Sequence, residues 1–130
     1  MERRLVSSRS PFEAEIGFSR AVRAGRHVAV AGTCAVMPEG GDPPTDAYGQ
    51  ARRCLEIVAD ALGEAGADLA DVVRTRTFLR DAADWRDVGR AHGEFFADIR
   101  PASTMLVVSG FLDPRWVVEI EADAVVPEGR

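Results

Sequence analysis

Residues that bind metals or carry redox chemistry are scarce in this chain, with two cysteines and two histidines among 130 residues. Cys34 and Cys54 form no C-x-x-C or Cys/His pair, and His27 and His92 have no partner at ligand spacing, so no metal site is expected. A Gly-rich phosphate fingerprint is also missing, and no cofactor is expected. No segment approaches the roughly 18 apolar residues of a membrane span, and the Met-Glu-Arg-Arg start lacks an apolar signal core. A soluble, cytoplasmic protein is therefore expected. Polybasic runs are absent and the net charge is −5, which argues against a nucleic-acid or anionic-membrane partner. Internal repeats and low-complexity segments are not visible.

What is present is a 46% apolar composition, enough for one domain spanning residues 1–130 with a real core. Short strands are expected at Arg3–Val6, Phe18–Val22 and His27–Val36, the last two joined by the Ala24-Gly25-Arg26 turn. In the third, Val28, Val30, Gly32, Cys34 and Val36 share one face and small alanines the other, so close packing is expected on both. After the loop Glu39–Pro44, Thr45 or Asp46 caps a helix that runs to the Gly66 stop. Its apolar stripe is Ala47, Ala51, Leu55, Val58 and Leu62. A strand at Asp71–Arg80 places Val73, Thr75, Thr77 and Leu79 opposite Arg74, Arg76 and Arg80. A second helix from Asp84 to Ile99 carries the stripe Trp85, Val88, His92, Phe95 and Ile99.

The last third, Glu94–Val126, reads as a helix end, a Pro-led turn, an apolar strand, a short connection and a neighbouring strand. That final strand alternates: Glu119, Glu121 and Asp123 on one face, Val118, Ile120, Ala122 and Ala124 on the other. The acidic row either faces solvent or holds one carboxylate at a pocket mouth, where desolvation makes it a proton shuttle. The three arginines are expected to pair with this row across the sheet rather than to form a phosphate site. Both cysteines read as small core hydrophobes, with a nucleophilic Cys34 as the alternative. His92 reads as a core histidine, with a catalytic role as its alternative. The element order β-β-β-α-β-α-β-β gives an α+β fold with two helices on one face of a sheet. Two helices do not cover both faces, so the other is expected to be buried against copies of the chain.

Several of these stretches occur together in a known order. Arg100-Pro101-Ala102-Ser103, an apolar strand and Val118-Glu119-Ile120-Glu121-Ala122 resemble the C-terminal signature of the RidA (YjgF) reactive-intermediate deaminase family. Ala31-Gly32-Thr33, Gln50-Ala51-Arg52, Ala65-Gly66-Ala67, Phe78-Leu79-Arg80-Asp81 and Phe95-Phe96 extend the resemblance over nearly the whole chain. The resemblance implies a chorismate-mutase-like fold and a closed homotrimer with small-molecule clefts between subunits. It implies hydrolysis of imines or enamines, such as 2-aminoacrylate, to a keto acid and ammonia without metal or cofactor.

In that family the arginine of a Pro-Ala-Arg motif clamps the substrate carboxylate and a glutamate on the last strand handles protons. Those positions carry over to Ser103 and Glu121, so the glutamate is kept and the arginine is lost. A guanidinium grips a carboxylate by a two-pronged, charge-assisted pair, whereas a serine offers one neutral donor. Other positions differ too: Gly17-Phe18-Ser19 replaces Gly-Pro-Tyr, Ala31-Gly32-Thr33 replaces Ser-Gly-Gln, and Gly89 stands where an asparagine is frequent. Ser103, Thr104, Gly32, Thr33, Phe18 and Ser19 are the expected cleft lining, with Glu121 as the acid/base. Arg100 and Arg115 are candidate replacement clamps. Three functions fit: a deaminase with non-standard substrate specificity, a catalytically silent binding or regulatory trimer, and an endoribonuclease, the last opposed by the acidic charge.

Overall fold

The computed structural model describes residues 2–130. Six strands, β1 (Arg3–Val6), β2 (Ala21–Ala24), β3 (His27–Thr33), β4 (Val72–Leu79), β5 (Ala102–Val107) and β6 (Val118–Val125), form one sheet with the spatial order β1-β2-β3-β6-β4-β5. Two helices, α1 (Ala47–Glu64) and α2 (Trp85–Phe96), pack on one face, as the alternation of the strands implies. All pairings are antiparallel except β4 with β5, which α2 connects as a parallel crossover. β5 and β6 are therefore not neighbours, contrary to the sequence reading. Their connection passes over the end of β4, where Val108 N donates to Leu79 O and Arg80 N to Val117 O.

Helix α1 begins where Asp46 accepts a hydrogen bond from Gly49 N at 2.9 Å, satisfying one free N–H of the first turn. A Cβ at Gly49 would lie 2.8 Å from both that carboxylate and the Pro44 ring, so the cap excludes a side chain there. Ala47, Ala51, Leu55, Val58 and Leu62 are all buried, as the stripe predicts, together with Cys54, Gln50 and Ala61. The chain then turns at Gly66, whose φ of +80° suits glycine. On α2 the buried line is Val88, Ala91 and Phe96. His92, Phe95 and Ile99 flank it, while Trp85 is exposed at the helix start beneath the Arg86 guanidinium.

Two β-bulges correct the strict alternation expected for the strands. One lies between Val30 and Thr33, and the other between Val72 and Arg74. Each inserts a residue and reverses the faces beyond it. The first turns Thr33 into the core, fully buried, and brings Gly32 to the open face, while β3 ends short of Cys34 and Val36. The second buries Val72 and leaves Val73 exposed. β2 starts at Ala21 rather than Phe18, because one turn of π-type helix over Glu13–Gly17 precedes it.

Candidate functional site

The open face of the sheet carries the acidic row of β6 against the outward residues of β4. Antiparallel register sets Asp123 opposite Arg74, Glu121 opposite Arg76 and Glu119 opposite Phe78. Arg76 Nη1 lies 3.1 Å from Glu121 Oε1 and 3.2 Å from Asp123 Oδ2, so one guanidinium engages two carboxylates. Of the three arginines expected to pair with this row Arg76 does so, whereas Arg80 donates to Pro114 O. Glu119 has an apolar ladder partner and, among the described residues, no ion pair. Period-two patterning does not rank three carboxylates on one face. The partner strand does.

Glu119 instead meets β3 and the residue after it. A Cβ built on Gly32 would stand 3.0 Å from Glu119 Cδ, and Cys34 Sγ lies 3.4 Å from Glu119 Oε2. Burial, and then the Glu119 charge, push the Cys34 thiol up, so it stays protonated and acts as a donor to the carboxylate rather than as a nucleophile. Burial likewise pushes Cys54 up, to about 12. Arg20 Nη2 donates to Gly32 O, and its charge and that of Glu119 attract each other. Its guanidinium is half-buried and its Nε has no hydrogen-bond partner. Sequence reasoning passed over Arg20 because nothing in Ser19-Arg20-Ala21 distinguishes a buried arginine from a surface one. Gly32→Ala is expected to displace the Glu119 carboxylate without unfolding the protein. A crystal structure of the variant, with Glu119 in a changed rotamer, checks this.

The other expected residues separate. Phe18 and Ser19 follow the π-type turn and line an open depression of about 610 Å³ with Leu5, Glu13 and Val22. Thr33, expected in the cleft, is buried with its hydroxyl on Ala31 O at 2.8 Å, because the bulge reverses its face. Thr104 is exposed beside Arg76 on the open face. Ser103 pairs with Thr75 and shares its helix-side face; Thr75 Oγ1 donates to Ser103 Oγ at 3.0 Å and lies 2.8 Å from His92 Nε2. Glu121, the expected acid/base, is held by Arg76.

Among the described residues neither candidate clamp forms an ion pair with Glu119. Arg100 is exposed at the end of α2 with a φ of +57°, its N–H on Phe96 O. Arg115 is tied to Asp113 and Asp42, each at 2.8 Å, and holds Asp113 at a pKa of about 2, a loop brace rather than a free cation. Ser103 and Glu119 sit on opposite faces of the sheet, on strands that flank β4, hence about 10 Å apart across the sheet alone. One small ligand does not bridge them within a chain. Among the described residues no three His, Cys, Asp or Glu side chains cluster as a metal site would require, and no helix is long and apolar enough to cross a membrane.

Comparison with known proteins is consistent with this architecture. The family model described as Endoribonuclease L-PSP matches residues 8–126. An uncharacterised protein of Streptomyces coelicolor is 42% identical over 121 residues, covering 93% of this chain and 90% of that one. The 2-iminobutanoate/2-iminopropanoate deaminase of Escherichia coli is 31% identical over 130 residues, covering 96% and 98%. Among solved structures, a YjgF/YER057c/UK114 family member from Mycobacterium tuberculosis superposes with a TM-score of 0.88 at 46% identity, over 96% of this chain and 100% of that one. E. coli TdcF with bound serine superposes with a TM-score of 0.80 at 26% identity, over 95% and 94%. With a family model spanning nearly its full length and relatives aligned end to end, the chain belongs to the YjgF, or Endoribonuclease L-PSP, family.

Proposed function

We propose that the chain hydrolyses a reactive imine or enamine of a small acid, as a homotrimer with its sites between subunits, and that Glu119 rather than Glu121 is the acid/base. The observation that carries this reading is the Glu119 carboxylate over Gly32, without a cationic pair and beside the Cys34 thiol. A carboxylate so placed takes a proton from water as its oxygen attacks the C=N carbon, then returns it to nitrogen as ammonia leaves. The balance is R₂C=NH + H₂O → R₂C=O + NH₃, with no redox step. The sequence contains no lysine, so no lysine Schiff base forms, and in this reading water attacks directly. The E. coli relatives named as a deaminase of 2-imino acids and as a serine-bound protein support a small amino-acid-derived ligand.

Two features support the assembly. Edge strand β5 and its connection expose Leu106 (51%), Val107 (57%) and Leu112 (98%), a large apolar area for a monomer. A ligand reached by both Glu119 and the Ser103 strand also requires two chains, given their opposite faces. Light scattering at micromolar concentration is expected to give three times the 14.0 kDa chain mass. A monomer would remove the shared site.

Serine in place of the arginine favours a second reading, a trimer that binds a ligand without turnover. The native protein is expected to hydrolyse 2-iminopropanoate slowly, because its carboxylate loses hydration without gaining an ionic partner at Ser103. Ser103→Arg is expected to raise the rate by about one to two decades, corresponding to a charge-assisted pair of about 1.5–3 kcal/mol realised in the transition state. The imine is generated by an amino-acid oxidase and ammonia release is followed above the spontaneous rate. No turnover by either form would favour the binding trimer.

A further inference from the structure

Ser103, Thr75 and His92 form a continuous hydrogen-bonded line from an exposed sheet edge to a half-buried imidazole. Thr75 is fully buried between the other two, 3.0 Å from Ser103 Oγ and 2.8 Å from His92 Nε2. A hydroxyl has one proton, so in such a line the direction of one bond fixes the next. With a proton on Nε2, His92 donates to Thr75, Thr75 donates to Ser103, and the Ser103 proton is left for a ligand acceptor. With Nε2 bare, the line reverses and Ser103 presents an oxygen to a ligand donor.

We propose that His92, acting through Thr75, orients the Ser103 hydroxyl as a donor, so that this position binds a small carboxylate more tightly when His92 is protonated. The proposal rests on the reading that β5 lines the ligand cleft. A carboxylate on Ser103 accepts its proton and favours the line running outward from a protonated Nε2, and its negative charge favours the imidazolium over the neutral Nε2–H tautomer. By reciprocity, anion binding and protonation of His92 favour each other.

The surroundings of His92 leave this coupling uncluttered. Phe96 lies against the ring at a 4.7 Å centroid distance, and the strands offer the neutral hydroxyls of Thr75 and Ser103. Arg74 and Arg76 of β4 point to the other face of the sheet. On the helix side, Arg52 of α1 and Glu94 of α2 pair with each other at 2.7 Å. Burial alone depresses the His92 pKa, with no charged neighbour contributing. The free protein therefore holds a neutral imidazole at neutral pH, and an anion at Ser103 raises its pKa. His92 and Thr75 are positioning residues here, and Ser103 is the contact.

The test uses the intact trimer with pyruvate as the probe, the His92 ring being followed by nitrogen-edited NMR from pH 5 to 8. Pyruvate is expected to raise the His92 pKa and, reciprocally, to bind roughly five- to tenfold more tightly at the acid end. Thr75→Val, near in shape but without the hydroxyl, is expected to abolish both effects, so that pyruvate affinity no longer follows the His92 titration. Ser103→Ala is expected to abolish them as well, which separates the line from a local effect on Thr75 packing. Affinity that tightens equally in Thr75→Val would place the coupling outside this line and overturn the proposal. Pyruvate that binds with the His92 titration unmoved overturns it while the deaminase reading stands. A failure of pyruvate to bind at any pH removes that reading and the proposal together.

Discussion

Glu119→Gln is expected to slow hydrolysis of 2-iminopropanoate by about two to four orders of magnitude, the usual contribution of a positioned acid/base. Glu121→Gln is expected to leave the rate within about threefold, since a residue outside the proton path contributes none of that acceleration. The distinction follows from the register of one strand pair. Arg76 sits opposite Glu121 and binds it together with Asp123, so the charge of Glu121 is committed to the sheet. Phe78 sits opposite Glu119 and offers no charge. Glutamine keeps the size of Glu119 and its contact with Gly32 but takes up no proton, so the loss belongs to kcat. A large effect at Glu121 with none at Glu119 would return the acid/base to the residue carried over from the family motif.

The largest expected effect on stability comes from Gln50→Leu. Gln50 is fully buried in α1, and its amide nitrogen donates to Pro44 O and to Arg115 O, both at 2.8 Å. Its amide oxygen accepts from Val117 N at 2.9 Å. One side chain thus ties the loop before α1 to the connection that crosses β4 on its way to Glu119. Leucine fills the same volume and leaves two carbonyls and one N–H without partners. Each such group costs about 1–3 kcal/mol, so a loss of about 3–5 kcal/mol is expected after partial hydration. Urea denaturation at fixed protein concentration measures it. A loss under about 1 kcal/mol would show that water replaces the amide in full.

The architecture was legible because it is written in periodicity. The stripe from Ala47 to Leu62, the alternation from Val118 to Ala124 and the glycine stop at Gly66 each state a local rule that the packing then obeys. The site was less legible because it depends on offsets. A bulge adds one residue with no compositional mark, and it decides that Gly32 rather than Thr33 faces the acidic row. The choice between Glu119 and Glu121 depended on register against Arg74-Thr75-Arg76-Thr77-Phe78, an antiparallel match in which the apolar position falls opposite Glu119. That signal was present in the sequence once β4 and β6 were paired. No such signal existed for Arg20, nor for the line from Ser103 to His92, which joins residues on three elements. Arg115 looked free because its partners, Asp113 and Asp42, belong to loops whose approach only the fold reveals.

The location of the site is tested most directly by a crystal structure of the protein with pyruvate, the product expected from 2-iminopropanoate. The ligand is expected between subunits, its keto group near the Glu119 carboxylate and Gly32 backbone of one chain and its carboxylate at the Ser103 end of the other. Pyruvate in the Phe18–Ser19 depression of a single chain, out of reach of Glu119, would show that the reaction site lies elsewhere.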